Sequence, residues 1–201
     1  MKVAVYTGSF NPLHKGHVAV VRHMLEKGGV DCVYLVVSPQ NPFKDPSLQD
    51  NFAQRLQAAK DTIRRLGLEE KVKVDDIEFG MPRPSYTIDT LDALRGREPD
   101  NKFSLIIGAD NLPDILKWRE GERILTDYGI AVYPRKGYNM VHDCATLKLQ
   151  HKNACRLFDD GEKFRPYRIK LLRDAPLVNI SSTQIREKMA RGEKIPDILE
   201  K

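Results

Sequence analysis

The residues best suited to chemistry stand near the N-terminus, in the stretch Gly8–His17, which reads GSFNPLHKGH. An apolar run, Val3–Thr7, precedes this stretch, and a helix-compatible segment follows it. A strand that leads through a glycine-containing turn into a helix brings backbone N–H groups and the positive end of the helix dipole to one place. Such a place suits a phosphate group. Because His14 and His17 lie in the turn, we predict a phosphate site with two imidazoles beside it.

A second stretch, Ile180–Arg186, reads ISSTQIR. Serine and threonine before an apolar-periodic run favour a helix N-terminus, so we expect Ser181 or Ser182 to cap a final helix that ends near Arg191. Free N–H groups, hydroxyls and an arginine fork at such a helix start can hold the β- and γ-phosphates of a nucleoside triphosphate.

Together these stretches resemble the two hallmark motifs of the nucleotidylyltransferase superfamily, G-x-F-x-P-x-H-x-G-H and ISSTxIR. The resemblance implies that His14 and His17 are the catalytic residues, that Mg²⁺ arrives with ATP, and that the protein supplies no metal site of its own. Asp110 follows an apolar run, where it could bind the ATP ribose or cap a helix. The ATP-binding residues implied are Gly8, Ser9, Phe10, His14, His17, Gly108, Asp110, Ile180, Ser181, Ser182 and Arg186.

Within that superfamily the chain resembles the bacterial nicotinate (nicotinamide) mononucleotide adenylyltransferases. Four further stretches carry this likeness, namely Ser38–Lys44, Ser85–Leu91, Gly108–Asn111 with Trp118 downstream, and Val132–Tyr138. The mononucleotide-binding residues implied are Asn11, Lys44, Tyr86, Thr87, Trp118 and Arg135.

Two of these assignments keep a structural alternative. Trp118 is the only tryptophan, and it would either stack on a pyridine ring or pack in the core. Lys44 and Arg135 would either meet the mononucleotide phosphate or serve as surface charges. The sequence also departs from the family pattern, with Phe43 where a histidine is usual and Lys136 where proline is frequent.

The expected activity is transfer of the adenylyl group of ATP to nicotinate mononucleotide, giving deamido-NAD and pyrophosphate. One alternative is a transferase of the same fold that acts on another phosphorylated acceptor, such as phosphopantetheine, or that transfers a cytidylyl group. Another is a noncatalytic nucleotide-sensing protein. The stretch Ser85–Leu91 and Trp118 argue against the first, and intact His14, His17 and Arg186 argue against the second.

Apolar runs alternate with amphipathic segments, which predicts a doubly wound α/β fold with a mainly parallel, Rossmann-like sheet. We expect five strands and six main helical segments in a single domain over residues 1–201, with a small helical part at 177–201. The loops after the first and fourth strands should then lie side by side at the ligand-binding edge. The predicted strands are Val3–Thr7, Cys32–Val37, Val72–Val74 or Ile77–Phe79, Phe103–Ile107 and Gly129–Tyr133. The predicted helical segments are His17–Lys27, Phe52–Arg65, Thr87–Leu94, Leu112–Trp118 with Glu122–Leu125, Cys144–Phe158 and the final helix.

Bulk properties bound the remaining possibilities. No run of about 18 apolar residues occurs, and the N-terminus lacks a signal peptide, so we expect a cytoplasmic protein that does not enter a membrane. Three cysteines without C-x-x-C spacing indicate neither disulfides nor zinc. Residues 135–173 hold ten Lys or Arg against four Asp or Glu, which suits either an anionic partner or a solvated basic face. We expect small-molecule substrates and no nucleic-acid partner. The sequence leaves open whether the protein forms a homo-oligomer.

Overall fold

The computed structural model describes residues 1–39, 52–157, 166–177 and 182–193. Strands and helices alternate along nearly all of this length, as the apolar periodicity predicts. The strands are β1 (Lys2–Gly8), β2 (Cys32–Val37), β3 (Val72–Asp75), β4 (Lys102–Gly108), β5 (Ile130–Tyr133) and β6 (Ile169–Leu171). The helices are α1 (Lys15–Lys27), α2 (Phe52–Arg65), α3 (Thr87–Arg97), α4 (Gly121–Arg123), α5 (Met140–Leu157) and α6 (Ser182–Ala190).

One six-stranded sheet runs in the order β3-β2-β1-β4-β5-β6, and every neighbouring pair is parallel. The order reverses direction between β1 and β4, which sets the loops after these strands side by side. The prediction of five strands was wrong by one. The missed strand, β6, has only three residues with Lys170 in the middle, so it is too short to show a strand periodicity.

Both faces of the sheet are covered by apolar side chains. Val3 and Val5 of β1 belong to one buried cluster, whereas Ala4 and Tyr6 belong to the other. The first cluster takes in α3 and α5, and the second takes in α1 and α2. This alternation along one strand confirms the doubly wound class, because a parallel sheet in such folds is buried on both sides.

Several connecting segments differ in detail from the prediction. The third strand is Val72–Asp75, and the alternative, Ile77–Phe79, lies in a turn of 3-10 helix, Ile77–Gly80. The segment after β4, Ala109–Lys117, is also 3-10 helix and contains a proline, which an α-helix interior would not tolerate. A single turn of π-helix, Ile124–Tyr128, leads into β5.

Two basic residues of the Lys/Arg-rich region 135–173 make hydrogen bonds that stabilise the fold. The Lys170 ammonium donates to the carbonyl oxygens of Lys27 (3.3 Å) and Gly28 (2.5 Å) at the C-terminus of α1, where the helix dipole favours a positive charge. The Arg168 guanidinium donates to the carbonyl oxygen of Asp127. Within the described ranges, the structure contains no helix long and apolar enough to cross a membrane.

Candidate active site

The turn after β1 is shaped by a close approach between Gly8 and Phe10. A Cβ at Gly8 would lie 3.2 Å from Cζ of the Phe10 ring, so a larger residue would require that buried ring to shift by a few tenths of an ångström. Phe10 has φ of 42°, the left-handed region that L-residues other than glycine seldom adopt. Its buried ring meets the ring of Tyr6 edge-on at 5.5 Å and that of His17 at 5.1 Å. The strained backbone is therefore held by aromatic packing, as is common at functional sites.

His14 and His17 form a capping box at the start of α1. The Nδ1 atom of His14, the N-cap residue, accepts a hydrogen bond from the backbone N–H of Gly16 at 3.2 Å. The Nδ1 atom of His17 accepts one from the backbone N–H of His14 at 3.3 Å. An Nδ1 atom that accepts a hydrogen bond carries no proton itself. Each neutral imidazole is therefore assigned as the Nε2–H tautomer. Both histidines thus keep an N–H donor on the ring atom that the capping box does not use.

The surroundings hold both imidazoles in the neutral form. Burial lowers the pKa of His14 to about 4, and the positive charge of Arg135 adds to the effect. Burial also lowers the pKa of His17 well below its usual value, with further contributions from His14 and Arg135. The two rings stack with centroids 3.7 Å apart. At neutral pH the site therefore offers two adjacent neutral N–H donors rather than two cations.

A pocket opens beside the two histidines and is lined also by Tyr6, Tyr133 and Arg135. The Tyr6 hydroxyl donates to the Tyr133 hydroxyl oxygen at 3.3 Å, and Nη2 of Arg135 donates to the same oxygen at 2.6 Å. Burial, followed by the neighbouring Tyr133, raises the pKa of Tyr6, so this phenol stays protonated. Sequence reasoning missed both tyrosines, although each is the polar aromatic near the carboxyl end of an apolar strand.

Asp110 and Arg135 form an ion pair at this pocket, with Oδ1 and Nε 3.5 Å apart. The Asp110 carboxylate lies over Gly108, where a Cβ would stand 2.1 Å from Oδ1, so a larger residue at that position would force the carboxylate to move. No side-chain hydrogen bond caps the 3-10 helix, which leaves the alternative of Asp110 as a cap without support. Arg135 lies among residues predicted to bind ATP, although the sequence placed it with the mononucleotide.

The two predicted phosphate motifs meet in the fold. Nη1 of Arg186, on α6, donates to the carbonyl oxygen of Asn11 at 2.7 Å, and the Ser182 hydroxyl donates to that of Pro12 at 3.3 Å. Nη2 of Arg186 also donates to the Thr183 hydroxyl at 3.1 Å. The N-terminus of α6 thus packs against the turn that carries the histidines. Ile180 and Ser181 lie outside the described residues, as does Lys44.

The residues predicted to bind the pyridine ring lie at the start of α3 and in the segment before α4, where side chains of the two segments contact each other. Tyr86 precedes the first residue of α3, Thr87, and the guanidinium of Arg119 lies over its ring at 4.8 Å. Arg119 also pairs with Asp89 at 3.2 Å. The adjoining Trp118 is half-buried and packs against the core cluster, so its two predicted roles are compatible.

A buried polar chain, absent from the sequence prediction, connects this group to the end of β2. The Thr90 hydroxyl donates to Oε1 of Glu78 at 2.9 Å and approaches the carbonyl oxygen of Tyr86 at 3.3 Å. The Ser38 hydroxyl bonds to the same carboxylate, while burial raises the pKa of Glu78. Thr90 lies one turn from Leu94 on the buried stripe of α3. A polar residue at such an apolar position is the feature of the sequence that could have indicated these buried polar contacts.

The described residues include no cluster of three or more His, Cys, Asp or Glu able to hold a metal ion. The carboxylate of Asp110 lies beside Arg135. Mg²⁺ is usually held by one or two carboxylates together with substrate phosphates and water, so this arrangement suits an ion that enters with a nucleotide.

Comparison with known proteins defines the class first. Residues 5–188 match the family model described as cytidylyltransferase-like, so the chain is a nucleotidyltransferase of this class. A protein of Flavobacterium johnsoniae named "Probable nicotinate-nucleotide adenylyltransferase" is 38% identical over 99% of this chain and 92% of its own length. A Bacteroides fragilis protein of the same name is 37% identical over 96% of this chain and 85% of its own. The chain belongs to the nicotinate-nucleotide adenylyltransferase family.

The fold agrees with this membership. The structure of a Plasmodium falciparum nicotinic acid mononucleotide adenylyltransferase, complexed with NaAD, superposes with a TM-score of 0.70 at 18% identity. The superposition covers 96% of this chain and 86% of that one. At so low an identity the comparison concerns the fold alone. The superposition confirms the Rossmann-like arrangement predicted from the sequence.

Proposed function

We propose that this chain transfers the adenylyl group of ATP to nicotinate mononucleotide, a step of NAD biosynthesis. A phosphate oxygen of the mononucleotide attacks the α-phosphorus of ATP and forms the new P–O bond. The bond from the α-phosphorus to the bridging oxygen breaks, and pyrophosphate leaves with its electron pair. The products are deamido-NAD and pyrophosphate. Curated relatives of this name, similar over nearly the whole chain, support the assignment.

The observation that carries the chemistry is the pair of neutral Nε2–H donors on His14 and His17. The transition state adds negative charge to the oxygens of the α-phosphate, and fixed donors that need no reorganisation stabilise that charge best. The capping box holds both rings in place before substrate arrives. No protein nucleophile is needed, because the mononucleotide phosphate attacks directly.

The remaining ATP contacts follow from the position of α6. Arg186 and Ser182 would hold the β- and γ-phosphates, and their contacts with the turn bring them to the histidine side of the site. The backbone of Gly8, Ser9 and Phe10 would face the same phosphates. Asp110, next to Gly108 at the end of β4, would bind the ribose hydroxyls. Ile180 and Ser181 are proposed to complete this side on the likeness in sequence alone.

The acceptor would occupy the neighbouring region, with its pyridine ring near Tyr86, Thr87 and Trp118. Asn11, Lys44 and Arg135 are proposed to meet its phosphate. For Arg135 the nearness to Asp110 supports a position between the two nucleotides. Mg²⁺ is proposed to arrive with ATP, where it would offset the negative charge of the phosphates. A cytoplasmic location, the absence of a nucleic-acid partner, the homo-oligomer and the helical part at 177–201 remain predictions from the sequence.

The test is a paired pyrophosphate-release assay with ATP and Mg²⁺. Nicotinate mononucleotide should turn over, and the amide mononucleotide should turn over much more slowly. Phosphopantetheine and CTP serve as controls for the alternative transferases, and they should give no pyrophosphate above background. If neither mononucleotide leads to release of pyrophosphate, the assignment is overturned. Equal rates of release would overturn only the preference for the acid.

A further inference from the structure

Arg55 is a buried cation on α2 that joins the loops after two neighbouring strands. Only 7% of its surface is exposed. Its Nη1 atom donates to the carbonyl oxygens of Ser9 at 2.5 Å and Ser38 at 3.0 Å, and Nη2 donates to that of Pro39 at 2.9 Å. Ser9 lies in the turn after β1, and the other two residues follow β2.

The sequence carried a signal for this arrangement. Arg55 follows Phe52 by three residues and precedes Ala59 by four, which places a charge on the buried stripe of an amphipathic helix. An arginine is rarely buried unless its donors are satisfied, so a specific set of acceptors is expected around it. Here at least three of those acceptors are main-chain carbonyl oxygens.

The contact with Ser9 has a consequence for the next residue. In a planar trans peptide the C=O of one residue and the N–H of the next point in opposite directions. With the Ser9 carbonyl turned toward α2 by Arg55, the N–H of Phe10 points away from α2. Among the described residues, none accepts a hydrogen bond from this N–H. The strained φ of Phe10 fixes the orientation further, as does its ring against His17.

We infer that Arg55 is a positioning residue for adenylyl transfer, which holds the Ser9–Phe10 peptide so that the Phe10 N–H donates to a phosphate oxygen of bound ATP. The inference rests on the proposed function for its effect on turnover. Arg55 itself touches no substrate. A lysine could keep the charge at this position, but a single ammonium lacks the planar fork that joins carbonyl oxygens from two loops.

The test compares Arg55→Lys with Arg64→Lys, a matched change at an exposed arginine of the same helix whose partner is Asp61. With folding checked by thermal unfolding, Arg55→Lys should lower kcat at least about tenfold, because a small misplacement of a donor costs that much. KM for each substrate should stay within about threefold. The Arg64→Lys variant should match the wild type. A residue that only stabilised the fold would lower Tm and leave kcat per folded molecule unchanged, and that result would overturn the inference.

A second measurement does not depend on catalysis. In ¹⁵N-labelled protein, the α,β-methylene analogue of ATP should shift the Phe10 amide proton downfield and protect it from exchange, whereas in Arg55→Lys this shift should fall to less than half. An unperturbed Phe10 amide in the wild type would overturn the inference, even if Arg55→Lys fails to fold. If the wild type releases no pyrophosphate, the proposed function fails, and the amide measurement still decides the role of Arg55.

Discussion

The imidazoles of His14 and His17 lie 3.7 Å apart, centroid to centroid, and both use Nδ1 to accept backbone N–H groups of a single capping box. One local structure thus sets the start of α1, the tautomer of two rings and the place of their free donors. Helix capping and the proposed catalytic role therefore meet at these two residues, and the following experiments separate them.

Replacing His17 by alanine should lower kcat by more than it raises KM for ATP. The donor acts mainly on charge that develops in the transition state, so its loss should cost about 10²-fold to 10³-fold in kcat. Steady-state kinetics with both substrates varied measure the two constants. An unchanged kcat would remove His17 from the catalytic residues.

Two substitutions of His14 should divide its roles. Asparagine is a good N-cap and can accept from the Gly16 N–H, whereas alanine cannot. Both variants should lose about 10²-fold in kcat, because each lacks the Nε2–H donor. Urea unfolding should show His14→Ala less stable than His14→Asn by about 1 kcal/mol. Wild-type turnover in His14→Asn would mean that the cap alone is what matters.

The protonation of the two histidines can be observed directly. Long-range ¹H–¹⁵N spectra of the ligand-free protein should show the Nε2–H tautomer for both rings. Because the pKa of His14 is lowered to about 4 and that of His17 is also lowered, neither should gain a proton between pH 8 and pH 5.5. Free imidazole in the same sample reports the unperturbed titration. An imidazolium signal for either residue at pH 6 would contradict the neutral pair.

The same shifts make stability depend on pH. The unfolded chain takes up protons on these imidazoles near pH 6.5, and the folded protein does so only at lower pH, so the unfolded state binds more protons in between. The contribution of the pair to the free energy of unfolding is fully present above pH 6.5 and falls as pH drops toward 4. Urea unfolding at pH 7 and pH 5 should therefore show a smaller pH effect in His14→Asn than in the wild type.

Arg135 lies near residues predicted to bind ATP, but it is itself predicted to bind the mononucleotide. Kinetics can decide which of the two substrates it binds. Arg135→Met removes the ion pair with Asp110 and the hydrogen bond to Tyr133. If its charge holds the acceptor phosphate, as the sequence predicts, KM for nicotinate mononucleotide should rise about tenfold or more, since a charge-assisted hydrogen bond contributes about 1.5–3 kcal/mol. KM for ATP should change less. An increase confined to KM for ATP would move Arg135 to the ATP side.

Lys170 provides a case in which a basic residue serves the fold alone. Lys170→Met should lower the free energy of unfolding by up to about 1 kcal/mol, because the carbonyl oxygens at the end of α1 lose a positive partner. kcat should be unchanged, and the destabilisation should shrink at high salt. Equal stability of the two proteins in low salt would show that the contact contributes nothing.

The sequence by itself determined the class of fold and located the two motifs proposed to bind phosphate, because both depend on local pattern. Apolar runs that alternate with amphipathic segments predicted β1 to β5 and the bounds of α2 to the residue, and GSFNPLHKGH identified both histidines. Even the close contact at Gly8 involves a near neighbour in the chain, because the atom that a Cβ would approach belongs to Phe10. These are relationships over a few residues, where spacing and residue type carry the information.

Tertiary structure decided the relationships between residues far apart in the chain. Only the fold brought Arg186 to Asn11, Tyr6 to Tyr133 and Arg55 to Ser9, since no local pattern records which buried donor meets which distant acceptor. Burial, which no single stretch displays, made the histidines neutral. The short strand β6 also needed the edge of β5 to form. The proposed chemistry was suggested by residues near one another in the chain, whereas the positions of these residues are set by hydrogen bonds that form only when the sheet is assembled.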